Sequence, residues 1–145
     1  MIVPLPTLRA TRALAARLSK GLTGGELILL SGELGSGKTT FVRYLTETLG
    51  VPPGWVSSPS FTLIQRYPPG DTGFGVVHVD LYRLKGPAEL EGLGLEEILD
   101  SKDLVVVEWP EAGEMLWASC RRPLTRIAFG SGPAGRREAV VTAGD

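Results

Sequence analysis

The segment Gly32-Glu33-Leu34-Gly35-Ser36-Gly37-Lys38-Thr39 follows the pattern G-x-x-x-x-G-K-[ST]. Each fixed position has a physical task in holding a polyphosphate. Glycine lets backbone N–H groups turn inward around phosphate oxygens, and a bulky side chain at Gly37 would block that approach. A helix that begins here points its positive end at the same anion. Lys38 brings a mobile charge to the β- and γ-phosphates, and Thr39 offers a hydroxyl to Mg²⁺. Thr40 extends the phosphate-binding stretch. At average residue frequencies, a chance match in a chain of this length arises roughly 0.5% of the time. The context is also the required one: an apolar strand precedes the motif and a helix follows it.

A Mg²⁺·nucleotide site needs a carboxylate as well, which in this chemistry stands at the end of an apolar strand. Two positions qualify, Asp80 at the end of VVHVD and Glu108 at the end of LVVVE. Each could instead be a helix cap or a solvated strand end. Glu108 is the favoured metal ligand. Asp80 is assigned to the attacking water or to a metal-bound water, with direct metal contact left open. Lys38, Asp80 and Glu108 are thus the candidate catalytic set. Glu33, beside the phosphates, either points to solvent, or meets a basic residue of a partner or helps position water. His78 reads as a satisfied core residue and is given no role.

The chain contains no Asn and therefore no Asn-Lys-x-Asp element for reading guanine, which leaves ATP as the default nucleotide. A small-molecule kinase is the enzymatic rival. It would need an acceptor pocket and an Arg-bearing lid, and no insertion after Thr39 resembles one. Arg121 and Arg122 read as a solvated surface pair. A non-hydrolysing nucleotide sensor is the third possibility. The hydroxyl-rich loop GWVSSPSFT reads either as a Ser-rich turn or as a switch ordered by the γ-phosphate and Mg²⁺.

These groups need a scaffold. Thr7 caps a helix to about Lys20, Glu26–Leu30 forms a buried strand, and a helix runs from about Lys38 to Leu49. Strands are expected over Phe61–Tyr67, Gly75–Leu84 and Leu104–Trp109. A helical stretch over Glu89–Leu99 and a short helix near Glu111–Ala118 lie between and after them. Leu124–Phe129 and Glu138–Thr142 form a closing hairpin. The alternation implies an α/β fold: a single-domain, P-loop NTPase-like, three-layer arrangement over residues 1–145, with a mixed, mainly parallel central sheet and some antiparallel strands.

Composition narrows the options. The net charge of −1 argues against a dominant nucleic-acid groove. One cysteine excludes an internal disulfide, and one histidine excludes a Cys/His zinc cluster. No run approaches a membrane span and no signal-peptide core is visible, so a cytoplasmic location is expected.

Read in order, ATRALAARL, LLSGELGSGKTTFVRYL, VSSPSFTLIQRY, HVDLYRL, LEGLGLEEIL and VVVEWPE resemble the TsaE (YjeE) family, small P-loop ATPases of bacterial tRNA threonylcarbamoyladenosine biosynthesis. The match covers about residues 10 to 111. Ser60 replaces the Thr usual in the SPTF segment and keeps its hydroxyl. The resemblance implies ATP and Mg²⁺ as cofactors, with Lys38 and Thr39 on phosphate and metal and Asp80 and Glu108 as the acidic pair for hydrolysis. It places Thr11 near the base. Ser58, Pro59, Ser60, Phe61, Thr62 and Trp109 become switch or partner-contact residues. It further implies the proteins TsaD and TsaB as partners, tRNA reached only through their complex, no membrane, and an ATPase that is weak alone and stimulated by the assembly.

Overall fold

In the computed structural model of the chain, residues 1–56 and 63–144 are described. Seven strands form one sheet: β1 (Ile2–Pro4), β2 (Leu27–Ser31), β3 (Ile64–Tyr67), β4 (Val76–Asp80), β5 (Leu104–Glu108), β6 (Leu124–Ser131) and β7 (Arg137–Gly144), in the order β1-β7-β6-β2-β5-β4-β3. The four middle strands β6, β2, β5 and β4 are parallel to one another, while β3, β7 and β1 pair antiparallel at the two edges. The mixed sheet with a parallel centre is thus as expected. The strand β1 has no counterpart in the sequence reading. It is only three residues long and is held by its pairing with β7, so local periodicity had nothing to detect.

β4 and β5 are buried along their whole length, and β2 at all but Ser31, because both faces are covered. On one face, α1 (Leu8–Ser19) and α2 (Lys38–Thr48) bury Leu14, Ala15, Phe41, Val42 and Leu45 against Ile28, Leu30, Val106 and Ile127. On the other, Leu95, Ile98 and Trp117 cover Leu29, Val79, Val105 and Val107. The side-chain alternation of the parallel strands therefore sends His78, Asp80 and Glu108 to the α2 side. The register sets Asp80 opposite Glu108.

Several boundaries shift. The Gly75–Leu84 strand is only Val76–Asp80, because Asp80 Oδ1 accepts from Tyr82 N at 2.9 Å and turns the chain. The Glu89–Leu99 stretch is broken into α3 (Pro87–Leu90), a 3-10 turn and α4 (Leu95–Leu99). Gly94, at φ 73°, interrupts it. The last helix is a 3-10 turn over Pro110–Gly113 followed by α5 (Glu114–Ser119). Among the described residues, no helix is long and apolar enough to cross a membrane.

Candidate nucleotide-binding site

The Gly32–Gly37 loop joins the C-terminal end of β2 to the first turn of α2, at the end of the parallel sheet where ligands of open α/β folds collect. Two glycines are dictated by position. Gly37, at φ 106°, caps α2 in a left-handed conformation. Gly32 lies at φ +141°, and a Cβ there would stand 2.7 Å from both the Phe129 carbonyl oxygen and Ser36 Oγ.

Lys38 is 5% exposed. Its ammonium donates to the carbonyls of Gly32 and Glu33, and to Ser36 Oγ at 3.4 Å. It also lies 4.1 Å from the centroid of the Trp109 ring. Burial pushes its pKa below the ordinary lysine value, opposed by the charges of Glu108, Asp80 and Glu111. Trp109, directly after β5, has φ 58° and ψ 60°, a left-handed conformation rare for a large side chain. Its ring packs on Tyr82 at 4.8 Å.

The structure brings Thr39 and Glu108 together. Thr39 Oγ1 lies 2.9 Å from Glu108 Oε1 and 3.2 Å from Oε2. Glu108 is 2% exposed and Asp80 4%, so neither is a solvated strand end. Among the described residues, no group of three or more His, Cys, Asp or Glu side chains is placed to hold a metal ion. The donor set is one hydroxyl and one carboxylate, with a second carboxylate on the neighbouring strand. That composition fits a hard cation that keeps several waters and takes its remaining oxygens from phosphate, as Mg²⁺ does.

A cleft of about 400 Å³ opens over the loop. Its walls include Leu34, Gly35, Ser36, Gly37, Lys38, Thr39 and Thr40 from the loop and α2, with Asp80, Glu108 and Trp109 opposite. A second hollow of about 220 Å³ lies where α1 meets the loop. Thr11, Ser36, Gly37, Thr40 and Arg137 are among its residues. Glu33 and Leu34 are exposed on the loop. Ser58, Pro59, Ser60, Phe61 and Thr62 lie outside the described residues.

Two site residues escaped the sequence reading. Arg137 borders both hollows from the start of β7; its signal was a basic pair immediately before a strand predicted to begin only at Glu138. His78, taken for a satisfied core residue, is fully buried with Nε2 2.5 Å from Glu108 Oε2. The available signal was its position two residues before Asp80, on the same strand face. Arg122 is a correction of another kind. It is not part of a solvated pair, because its guanidinium donates to the carbonyls of Glu26, Ile98, Leu99, Ser101 and Asp103.

Comparison with known proteins gives a consistent result. Residues 5–137 match the family model described as threonylcarbamoyl adenosine biosynthesis protein TsaE. A tRNA threonylcarbamoyladenosine biosynthesis protein TsaE from Streptomyces coelicolor is 50% identical over 101 residues, covering 69% of this chain and 67% of that protein. One from Rickettsia felis is 40% identical over 101 residues, covering 70% and 57%. One from Synechocystis is 40% identical over 111 residues, covering 74% and 68%. The matches thus span from just over half to about two thirds of those relatives' lengths. The crystal structure of Bacillus subtilis YdiB superposes with a TM-score of 0.73 at 26% identity, over 99% of this chain and 84% of that one.

Proposed function

This chain belongs to the TsaE family of threonylcarbamoyl adenosine biosynthesis proteins, and on that premise we propose that it is a Mg²⁺-dependent ATPase whose hydrolysis drives turnover of a TsaD–TsaB transferase assembly in tRNA modification. The observation that carries the reading is the meeting of Lys38, Thr39 and Glu108 at one end of the parallel sheet, with Asp80 level with Glu108 on the adjacent strand.

In this reading the loop amides from Gly32 to Thr40 and the α2 N-terminus bind the phosphates. Lys38 exchanges the Gly32 and Glu33 carbonyls for phosphate oxygens, which accept a charge-assisted bond more strongly. Thr39 and Glu108 hold Mg²⁺, which when bound neutralises charge on the phosphate oxygens. Asp80, fixed by the Tyr82 N–H, orients water at the cleft side of Glu108. Thr11, in the wall of the smaller hollow, contacts the base or ribose. Trp109, Glu33 and the residues Ser58 to Thr62 are assigned to switching or partner contact, and tRNA is met only through the complex.

Phosphoryl transfer depends on positioning and on neutralising charge. P-loop enzymes that lack a complete set of charge-stabilising groups turn over at roughly 10⁻⁴–10⁻² s⁻¹, and a group supplied in trans adds roughly 10³–10⁵-fold. The isolated chain should therefore hydrolyse ATP slowly. The test is steady-state ATP hydrolysis alone and with TsaD–TsaB, with Lys38→Ala as the blank. Large stimulation, abolished by Glu108→Ala, supports the reading. Equal rates with and without the assembly would overturn it.

A further inference from the structure

His78 is the only histidine in the chain, and it lies wholly inside the protein against a carboxylate that the proposed mechanism uses. β4 and β5 run parallel with His78 opposite Val106 and Asp80 opposite Glu108. The imidazole reaches forward along the strand pair, and its Nε2 lies 2.5 Å from Glu108 Oε2. The Thr39 hydroxyl reaches the same carboxylate, nearer to Oε1 at 2.9 Å than to Oε2 at 3.2 Å. Side chains from α2 and β4 therefore close on one carboxyl group of β5.

The ring's second nitrogen decides its chemical form. Nδ1 is buried and has no hydrogen-bond partner among the described residues. An N–H at Nδ1 would leave a donor stranded in a dry interior. A proton on Nε2 instead leaves only a lone pair unpaired at Nδ1 and directs the N–H at Glu108. Imidazole also suits the place for a second reason. It donates at this distance without bringing a permanent charge, which lysine or arginine would.

We propose that His78 is a positioning residue: its Nε2–H fixes the Glu108 carboxylate so that the Thr39-facing oxygen is held ready for the metal. This rests on the reading of Glu108 as a Mg²⁺ ligand. A carboxylate locked on one side by a donor loses little further freedom when a cation arrives on the other, and partners of this kind are commonly worth roughly 10–100-fold in metal affinity or activity. A ring that only filled space would have no such effect, since its shape is all that would matter.

The test combines two measurements. In untagged protein the single histidine gives an unambiguous imidazole ¹⁵N spectrum, and the Nε2–H tautomer is expected in the wild type. An Nδ1–H tautomer would overturn the proposal, because Nε2 could then only accept. The second measurement is the Mg²⁺ concentration that half-saturates ADP binding, in wild type, His78→Phe and His78→Gln, with melting curves for each. His78→Phe should need roughly 10–100-fold more Mg²⁺, a larger change than in ADP affinity without metal. His78→Gln, which retains a donor, should recover most of the loss. An unchanged Mg²⁺ requirement in His78→Phe, or a Gln variant as impaired as Phe, overturns the positioning role. Should His78→Phe not fold, the wild-type tautomer and the Gln variant still decide. Wild-type ADP binding that is indifferent to Mg²⁺ would instead overturn the metal assignment of Glu108, and this proposal with it.

Discussion

The ammonium of Lys38 lies 4.1 Å from the centre of the Trp109 ring, so the phosphate loop after β2 touches the turn after β5 through one cation and one aromatic face. The contact is built on strained backbone, since Trp109 holds φ 58° and ψ 60°. A left-handed residue bearing a Cβ costs roughly 1–2 kcal/mol. The contact it permits returns about 0.5–2 kcal/mol by cation–π attraction, together with packing on Tyr82.

This balance gives an unusual ordering of variants. Trp109→Ala removes the ring and keeps the strain. Trp109→Gly removes the same ring and relieves it. The Gly variant should therefore melt higher than the Ala variant, by the equivalent of about 1 kcal/mol, although glycine ordinarily costs more than alanine. Thermal denaturation of the two side by side checks it; the reverse order would mean that the turn is not strained.

Lys38 carries the opposite tension, a charge in a place that disfavours it. Its folded-state pKa is lowered by burial. As pH rises through that lowered value, the folded protein gives up the proton while the unfolded chain still holds it, until 10.5 is reached. The unfolded state then binds more protons, so this group's contribution to stability rises with pH across the window. Lys38→Met should end ADP binding yet be at least as stable as wild type at neutral pH. Its advantage should shrink as pH climbs toward 10.5. Melting temperatures of both proteins from neutral to alkaline pH test the sign. An advantage that grows with pH contradicts it.

How far these features were legible in the sequence differs by kind. The phosphate loop was readable because its function is carried by backbone and by spacing, and both are local. Glu108 and Asp80 were readable because a strand-end acid after an apolar run is also a local pattern, and parallel pairing then brings the two level. His78 was not, because its meaning comes from a neighbour 30 positions away. Arg122 was misread for the same reason: adjacent arginines suggest a surface, and only the tertiary fold brings five carbonyls around one of them. The strand β1 is of this type too, since three residues have no period and exist as a strand only through β7.

Gly32 tests whether the loop's path is set by sterics before any ligand is considered. A Cβ at this position would meet the Phe129 carbonyl oxygen of β6 and Ser36 Oγ, each at 2.7 Å, and φ is +141°. Gly32→Ala must shift the loop away from β6 or strain the backbone, at about 1–3 kcal/mol. ADP affinity should fall along with stability. Gly35→Ala is the control: it shares a positive φ of +76° but nothing lies within 4 Å of its added Cβ. Isothermal titration with ADP should rank wild type above Gly35→Ala and Gly35→Ala above Gly32→Ala. Equal affinities for the two variants would remove β6 as the constraint on the loop.

Arg122 tests stability far from the chemistry. Its guanidinium lies at the end of the sheet away from the phosphate loop, near the starts of β2 and β5. It donates to the carbonyls of Glu26 and Asp103, which precede those strands, and to those of Ile98, Leu99 and Ser101, where α4 ends. The three carbonyls at the end of α4 include ones that the helix itself leaves unpaired. One planar fork thus ties two parallel strands and a helix C-terminus together, with no carboxylate needed. Arg122→Ala strips donors from several partly buried carbonyls at once and should cost on the order of 2–4 kcal/mol. Arg122→Lys should recover less than half of that, because an ammonium has three donors and no fixed plane. Urea denaturation measures both. ADP affinity, taken where each variant is folded, should match wild type, since none of these contacts belongs to the nucleotide cleft. A Lys variant as stable as wild type would show that charge, rather than the geometry of the fork, is what holds this corner.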